Sequence, residues 1–127
     1  MPKKIFHFDE YIETFQSAGV AARQLLADLQ SCPVELAKEI HFSKRQYHFY
    51  EDEVLRRDYF ITNHQQGETR NCAIVLEKIS NISMIGNGAQ IIAHGRMLPI
   101  SVVECHNFYA ENLIIDYAFP TTHQLKV

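Results

Sequence analysis

Residues Ala73 to Pro99 read AIVLEKISNISMIGNGAQIIAHGRMLP. This stretch breaks into short apolar runs separated by a Gly-Asn-Gly turn, and then the pattern starts again. A shift of 26 residues places Asn81 on Asn107, Ile74 on Ile100, Leu76 on Val102, Ile79 on Cys105 and Ile82 on Phe108, without a gap. A period in the twenties with matched polarity at each step is how a stacked β-coil looks in sequence. One coil cannot bury its own apolar row, whereas stacked coils bury a continuous column. The expected fold class is therefore mainly β, a solenoid of stacked β-coils. Asn81 and Asn107 are expected at one corner of successive coils, where side-chain amides satisfy turn backbone and bond each other in a ladder. Ligand binding is the rival role for that pair.

Working outward, the N-terminal side alternates weakly from Lys4 to Phe8, a short strand that Asp9 stops. Asp9 to Phe15 is ambiguous. Ser17 can cap a helix starting near Ala18. There Ala22, Leu25, Leu26 and Leu29 share one face while Arg23, Gln24 and Asp28 take the other. This predicts an amphipathic helix ending near Cys32, because Pro33 lacks an N–H and restricts its predecessor. In a solenoid its apolar stripe would cover the open end of the first coil; a partner-binding helix is the alternative. Glu39 to Phe42, Gln46 to Tyr50 and Tyr59 to Thr62 read as strands, Glu51 to Arg57 as a charged helical turn, and Asn63 to Arg70 as a polar loop. On the C-terminal side Ile100 to Val103, Phe108 to Ala110 and Leu113 to Asp116 read as the second coil. The organisation expected is one continuous domain, with residues 1–38 as strand and cap and 39–127 as initial coils.

The totals bound the function. The chain has 127 residues, 46% of them apolar and 21% charged, which suits a folded domain and excludes a disordered one. A net charge of −3 gives no basic field for nucleic acid or an anionic membrane. The apolar runs are too short to span a bilayer. No apolar stretch follows the N-terminal lysines as a signal peptide would, so a cytoplasmic location is expected, or a secreted or periplasmic one if the N-terminus was trimmed. Three cysteines without close spacing read as free thiols, with Cys105 packing as a small hydrophobe.

Familiar catalytic signals are missing. Gly86-Asn87-Gly88 lacks the third glycine of a dinucleotide fingerprint. There is no nucleophile elbow and no phosphate-binding loop. The seven histidines show no local pair with zinc-ligand spacing, so neither a metal nor a cofactor is expected. What remains is a set of polar residues at the coil corners: Asn63 and His64, His94 and Arg96, and Asp116. Aligned along one face of stacked coils, they would form a groove for a hydroxyl-rich ligand, Arg96 donating a fork of bonds and a carboxylate accepting from sugar hydroxyls. Asp116 could equally serve as a turn residue before Phe119-Pro120, and Arg96 as a tie to loop carbonyls.

Several strings in fixed order carry a resemblance. They are Gln46-Tyr47-His48-Phe49, Tyr59-Phe60-Ile61-Thr62-Asn63-His64, Ile82-Ser83-Met84-Ile85-Gly86-Asn87-Gly88-Ala89, His94-Gly95-Arg96-Met97-Leu98-Pro99, and Ile115-Asp116 with Pro120 and Gln124. On these, residues 46–127 resemble the N-terminal coils of right-handed parallel β-helix (pectin-lyase-like) glycosidases, above all glycoside hydrolase family 110, the exo-acting α-1,3-galactosidases. The fold this implies is mainly β, a right-handed parallel β-helix of which this chain holds the first few coils, with an N-terminal capping α-helix. The His-Gly-Arg-Met-Leu-Pro string is the most specific. One departure is Gln65, where the family pattern often has Asp after the Asn-His pair. Another is length, since the family's enzymes run for several hundred residues.

The resemblance implies hydrolysis of terminal galactose, with terminal galactosides or other glycans as partners. Glycoside hydrolysis generally needs two carboxylates. The resemblance places the catalytic aspartates beyond residue 127, leaving Asp116 as the one weak catalytic candidate and His94, Arg96, Asn63 and His64 as candidate substrate contacts. The chain by itself is then expected to be inactive and to self-associate through an open coil end. A non-catalytic carbohydrate-binding or structural solenoid remains an alternative reading, as does a small α/β domain whose repeat is accidental.

Overall fold

The computed structural model describes residues 3–60 and 67–118, with backbone alone for 55–60 and 67–70. Strand β1 (Lys3–His7) leads into helix α1 (Phe8–Phe15) and helix α2 (Ala18–Gln30). Seven strands follow: β2 (Ala37–His41), β3 (Gln46–Tyr50), β4 (Leu55–Phe60), β5 (Gly67–Glu77), β6 (Ser80–His94), β7 (Leu98–Val103) and β8 (His106–Tyr117). Among the described residues the chain is mainly β with two helices, and its strands form parallel ladders at every pairing but one.

The 26-residue repeat is physical. Ile74 pairs with Ile100 and Leu76 with Val102 between β5 and β7, and Ile82 pairs with Phe108 between β6 and β8. The amide ladder forms as well: Asn107 Nδ2 donates to Asn81 Oδ1 at 2.8 Å, and Asn81 Nδ2 donates to the Val34 carbonyl at 3.0 Å. Both asparagines are left-handed, with φ of 58° and 59°, as are Lys78 and Glu104 one repeat apart, at 57° and 54°. Asparagine tolerates that conformation because its short side chain bonds locally. The same turn is thus built twice, so the repeat is not an accident of composition.

β6 is the spine. Its first half pairs with β2 (Ile40 opposite Met84), its second half with β3 (Tyr47 opposite Ile91), and β8 runs along its other edge. Parallel partners share a face, so columns such as Phe6–Ile40–Met84 point into the core. The Gly-Asn-Gly turn proves to be a break inside β6 rather than a loop between two strands. Burial alternates through Ile82, Met84 and Gly86, skips, and resumes at Ala89, Ile91 and Ala93. Asn87, at φ 56°, supplies the skip and donates Nδ2 to the Phe42 carbonyl at 2.8 Å.

Two further details differ from expectation. β4 pairs antiparallel with β5, so residues 67–70 belong to a hairpin strand and not to a polar loop. This hairpin lengthens the first repeat, which explains why β2 and β3 meet β6 at an offset that self-comparison does not show. The ambiguous stretch after Asp9 is helical. Phe8, Tyr11, Ile12 and Phe15 fall at helical spacing, with Phe8 buried and Tyr11 and Ile12 packed on the core. Asp9 and Glu10 in its first turn complement the helix dipole.

α2 takes the predicted bounds. Ser17 Oγ accepts from Val20 N at 3.2 Å, and the helix buries Ala18, Ala21, Ala22, Leu25, Leu26 and Leu29 against β5 and β3. Fully burying a leucine side chain contributes about 1.5–3 kcal/mol, so this one face anchors the helix.

Candidate functional site

The break in β6 and the turn after it place the candidate side chains. His94 closes β6, opposite Tyr50 of β3, and Asp116 sits on β8 opposite Ile92. Gly95, at φ 102°, turns the chain so sharply that a Cβ there would lie 2.3 Å from Glu51 Oε1. The turn is tied from below: Asn71 Nδ2 reaches both Glu51 Oε2 and the Arg96 carbonyl at 3.4 Å. The Arg96 side chain is exposed and makes no hydrogen bond to the described residues, so the tie to this loop runs through its backbone. Asn63 and His64 lie outside the described residues.

His94 meets a residue that sequence reasoning missed as a site group. His48 Nδ1 stands 2.8 Å from His94 Nε2, and the Tyr50 ring stacks on His94 at 4.3 Å between centroids. One ring must donate the shared proton and the other accept it, so the bond survives with one charge but not two. Burial first, and then the neighbouring His94, hold the His48 imidazole below its ordinary 6.5. The folded state therefore resists protonation there. Whatever stability this contributes is fully present above pH 6.5 and is lost as pH falls through the lower folded value. An NMR pH titration is expected to show the His48 ring titrating below 6.5, and His94→Ala to move it upward.

A groove of about 210 Å³ opens beside this pair, between the α1–α2 junction and the outer face of β3. Arg45, Gln46, His48, Tyr50 and Glu53 supply its polar wall, and Ile12 and Ala18 its apolar one. The wall is held by Asp9, which accepts from the Tyr47 hydroxyl at 2.6 Å, from the Ser43 hydroxyl, and from Arg45 at 3.4 Å. Burial pushes the Asp9 carboxyl up, but these donors outweigh it and leave it below its usual range. Burial, then Asp9, pushes the Tyr47 phenol up to about 12, so it stays a neutral donor. Arg45 also lies over the Tyr47 ring, 5.0 Å from its centre.

The structure thus gathers His94, Arg96 and Asp116 at one end of the β3–β6–β8 ladder, and adds His48, Tyr50 and Glu51 to them. Asp116 is in strand, not in a turn, with Oδ1 accepting from Tyr117 N at 2.8 Å. An aromatic ring 43% exposed, stacked on the His94 imidazole and lining a groove with Arg45, His48 and Glu53, suits a hydroxylated ring with one apolar face. Among the described residues, no three His, Cys, Asp or Glu side chains gather to hold a metal ion.

No protein-family model matches the chain. Individual proteins do. It is 33% identical over 116 residues to an α-1,3-galactosidase B of Parabacteroides distasonis, covering 91% of this chain and 19% of the relative. It is 34% identical over 113 residues to an α-1,3-galactosidase B of Phocaeicola vulgatus, covering 88% and 19%. It is 30% identical over 96 residues to the protein so named in Bacteroides thetaiotaomicron, covering 76% and 16%. The chain spans about a fifth of the length of these curated relatives. Over most of its own length the chain is similar to the α-1,3-galactosidases of glycoside hydrolase family 110.

Proposed function

We propose that this chain forms the initial coils of a right-handed parallel β-helix glycosidase, capped by α2, whose activity is exo-hydrolysis of terminal α-1,3-linked galactose. The observation that carries the reading is the match to proteins named α-1,3-galactosidase over 88–91% of this chain. The in-register repeat of β5–β6 and β7–β8 supports the coil architecture, and α2 lies on β5 and β3 as a cap would. Hydrolysis of this kind generally needs two carboxylates flanking the bond. Asp116, on β8, is one carboxylate. We assign the paired aspartates to coils outside these 127 residues, and to this chain a share of sugar binding through His94, Arg96 and the Tyr50 ring.

The test is titration of the chain with galactose and with a terminal α-1,3-galactosyl disaccharide, followed by NMR of histidine and arginine side chains. Saturable shifts at His94 or Arg96 are expected, without release of galactose from the disaccharide. No shift with either sugar would overturn the binding role, leaving a structural solenoid module. Robust hydrolysis by the 127-residue chain would overturn the assignment of the carboxylates.

A further inference from the structure

His94 is held from two sides, and both holders come from β3. Tyr50 stands directly opposite it in the ladder and covers one face of its ring, at 4.3 Å between centroids and 23° between planes. His48 stands opposite Ile92, two places back, and reaches His94 across the diagonal. Its Nδ1 lies 2.8 Å from His94 Nε2, with the rings 5.0 Å apart and inclined at 42°. Residues two apart on a strand point to the same face. The short segment His48-Phe49-Tyr50 thus supplies a hydrogen bond and a ring, while Phe49 between them is buried in the core.

The two contacts do different things. A stacked imidazole keeps its plane in either of two orientations half a turn apart about χ2, which exchange nitrogen for carbon at each edge. Tyr50 accepts both orientations. The bond from His48 to Nε2 selects one of them. That bond needs one donor and one acceptor, so a second charge on the pair turns both nitrogens into donors and sets two cations against each other.

The other charged groups around the pair are Arg45 and Glu53 in the groove, Glu51 and Arg96 at the turn after β6, and Asp116, in one row with His48 and Ile92. Of these side-chain types, histidine is the one suited to change charge between about pH 5 and 8.

We infer that His48 is a positioning residue: it fixes the orientation of His94 against Tyr50, and a second proton on the pair releases that ring, so sugar binding at this end of the ladder weakens in acid. The inference rests on the sugar-binding role given to His94 above. Sugar and the second proton then oppose each other, and bound sugar pushes the pair's lower titration step further to acid.

NMR of the intact 127-residue chain, first without sugar, is the test. Cross-relaxation between the Tyr50 and His94 rings is expected at about pH 8 and is lost at about pH 5. In His48→Asn an amide stands in the place of Nδ1. It donates to a neutral His94 and, turned over, accepts from a charged one, so the ring contact is expected to persist in acid. In His48→Ala the contact is expected to weaken at both pH values. Circular dichroism confirms that each variant is folded. The second arm measures affinity for the terminal α-1,3-galactosyl disaccharide. In the native chain it is expected to fall roughly threefold to tenfold in acid, the worth of one hydrogen bond. His48→Asn is expected to restore the neutral affinity that His48→Ala loses, and to flatten the pH profile.

A Tyr50–His94 contact that persists in acid in the native chain, or that survives His48→Ala unchanged, would overturn the inference. So would an acid loss as steep in His48→Asn as in the native chain. A chain that binds neither sugar fails the binding reading alone, because the sugar-free arm still decides whether His48 positions His94.

Discussion

Gly86→Ala is expected to separate β8 from β6 and to be among the most damaging single substitutions in the chain. A Cβ at Gly86 would stand 2.2 Å from the Asn112 carbonyl oxygen and 2.6 Å from that of Glu111. Those obstacles are backbone, held in a ladder on both sides of the break, so no rotamer change relieves them. Overpacking a well-packed interior ordinarily costs about 1–3 kcal/mol, and here the strand itself must move, so the upper end or beyond is expected. Gly88→Ala is the informative comparison. There the nearest atom is Lys44 Cγ at 3.3 Å, part of a flexible side chain, and the penalty comes mainly from φ of 87°. A left-handed residue costs about 1–2 kcal/mol. Urea denaturation of both variants checks the order. Equal losses would show that β6 and β8 are not in van der Waals contact at this corner.

Phe8→Ala should unfold much of the N-terminal half. Phe8 is fully buried, with Phe42, Tyr47 and Phe49 rings at 5.1, 5.4 and 6.4 Å. It joins α1 to the turn between β2 and β3, and so supports the wall from which His48 and Tyr50 project. Removing a buried Phe side chain costs about 3–5 kcal/mol, comparable with the whole stability of a marginal domain. Phe8→Leu keeps most of the volume and is expected to lose much less. The readout is the denaturation midpoint together with the His48–His94 ring signals. The site should loosen in step with the core if α1 supports it, and the His signals should stay unchanged if it does not.

The candidate site was half legible. His94, Arg96 and Asp116 stood out because polar residues interrupted an apolar repeat. His48 and Tyr50 did not, since their pairing with β6 depends on how many residues the β4–β5 hairpin inserts between coils. Parallel pairing leaves no local trace at such separation. Of the antiparallel hairpin only Tyr59 and Phe60 read as strand; the rest lies in stretches that read as a charged turn and a polar loop, because an edge pair needs no apolar alternation. α1 could have been found: its apolar residues keep helical spacing, but eight residues are too few for that period to outweigh a strand reading.

By itself the sequence determined the 26-residue repeat, the asparagine corner and the bounds of α2, because each depends on residues near one another in the chain. A left-handed corner favours Asn or Gly, a helix needs its cap and stripe, and a repeated coil must repeat its apolar column. Only the tertiary structure decided that the Gly-Asn-Gly segment breaks one continuous strand and that His48 bonds His94. Those facts follow from which strands lie side by side, and that choice is made by burial of the whole column rather than by any local preference of the chain.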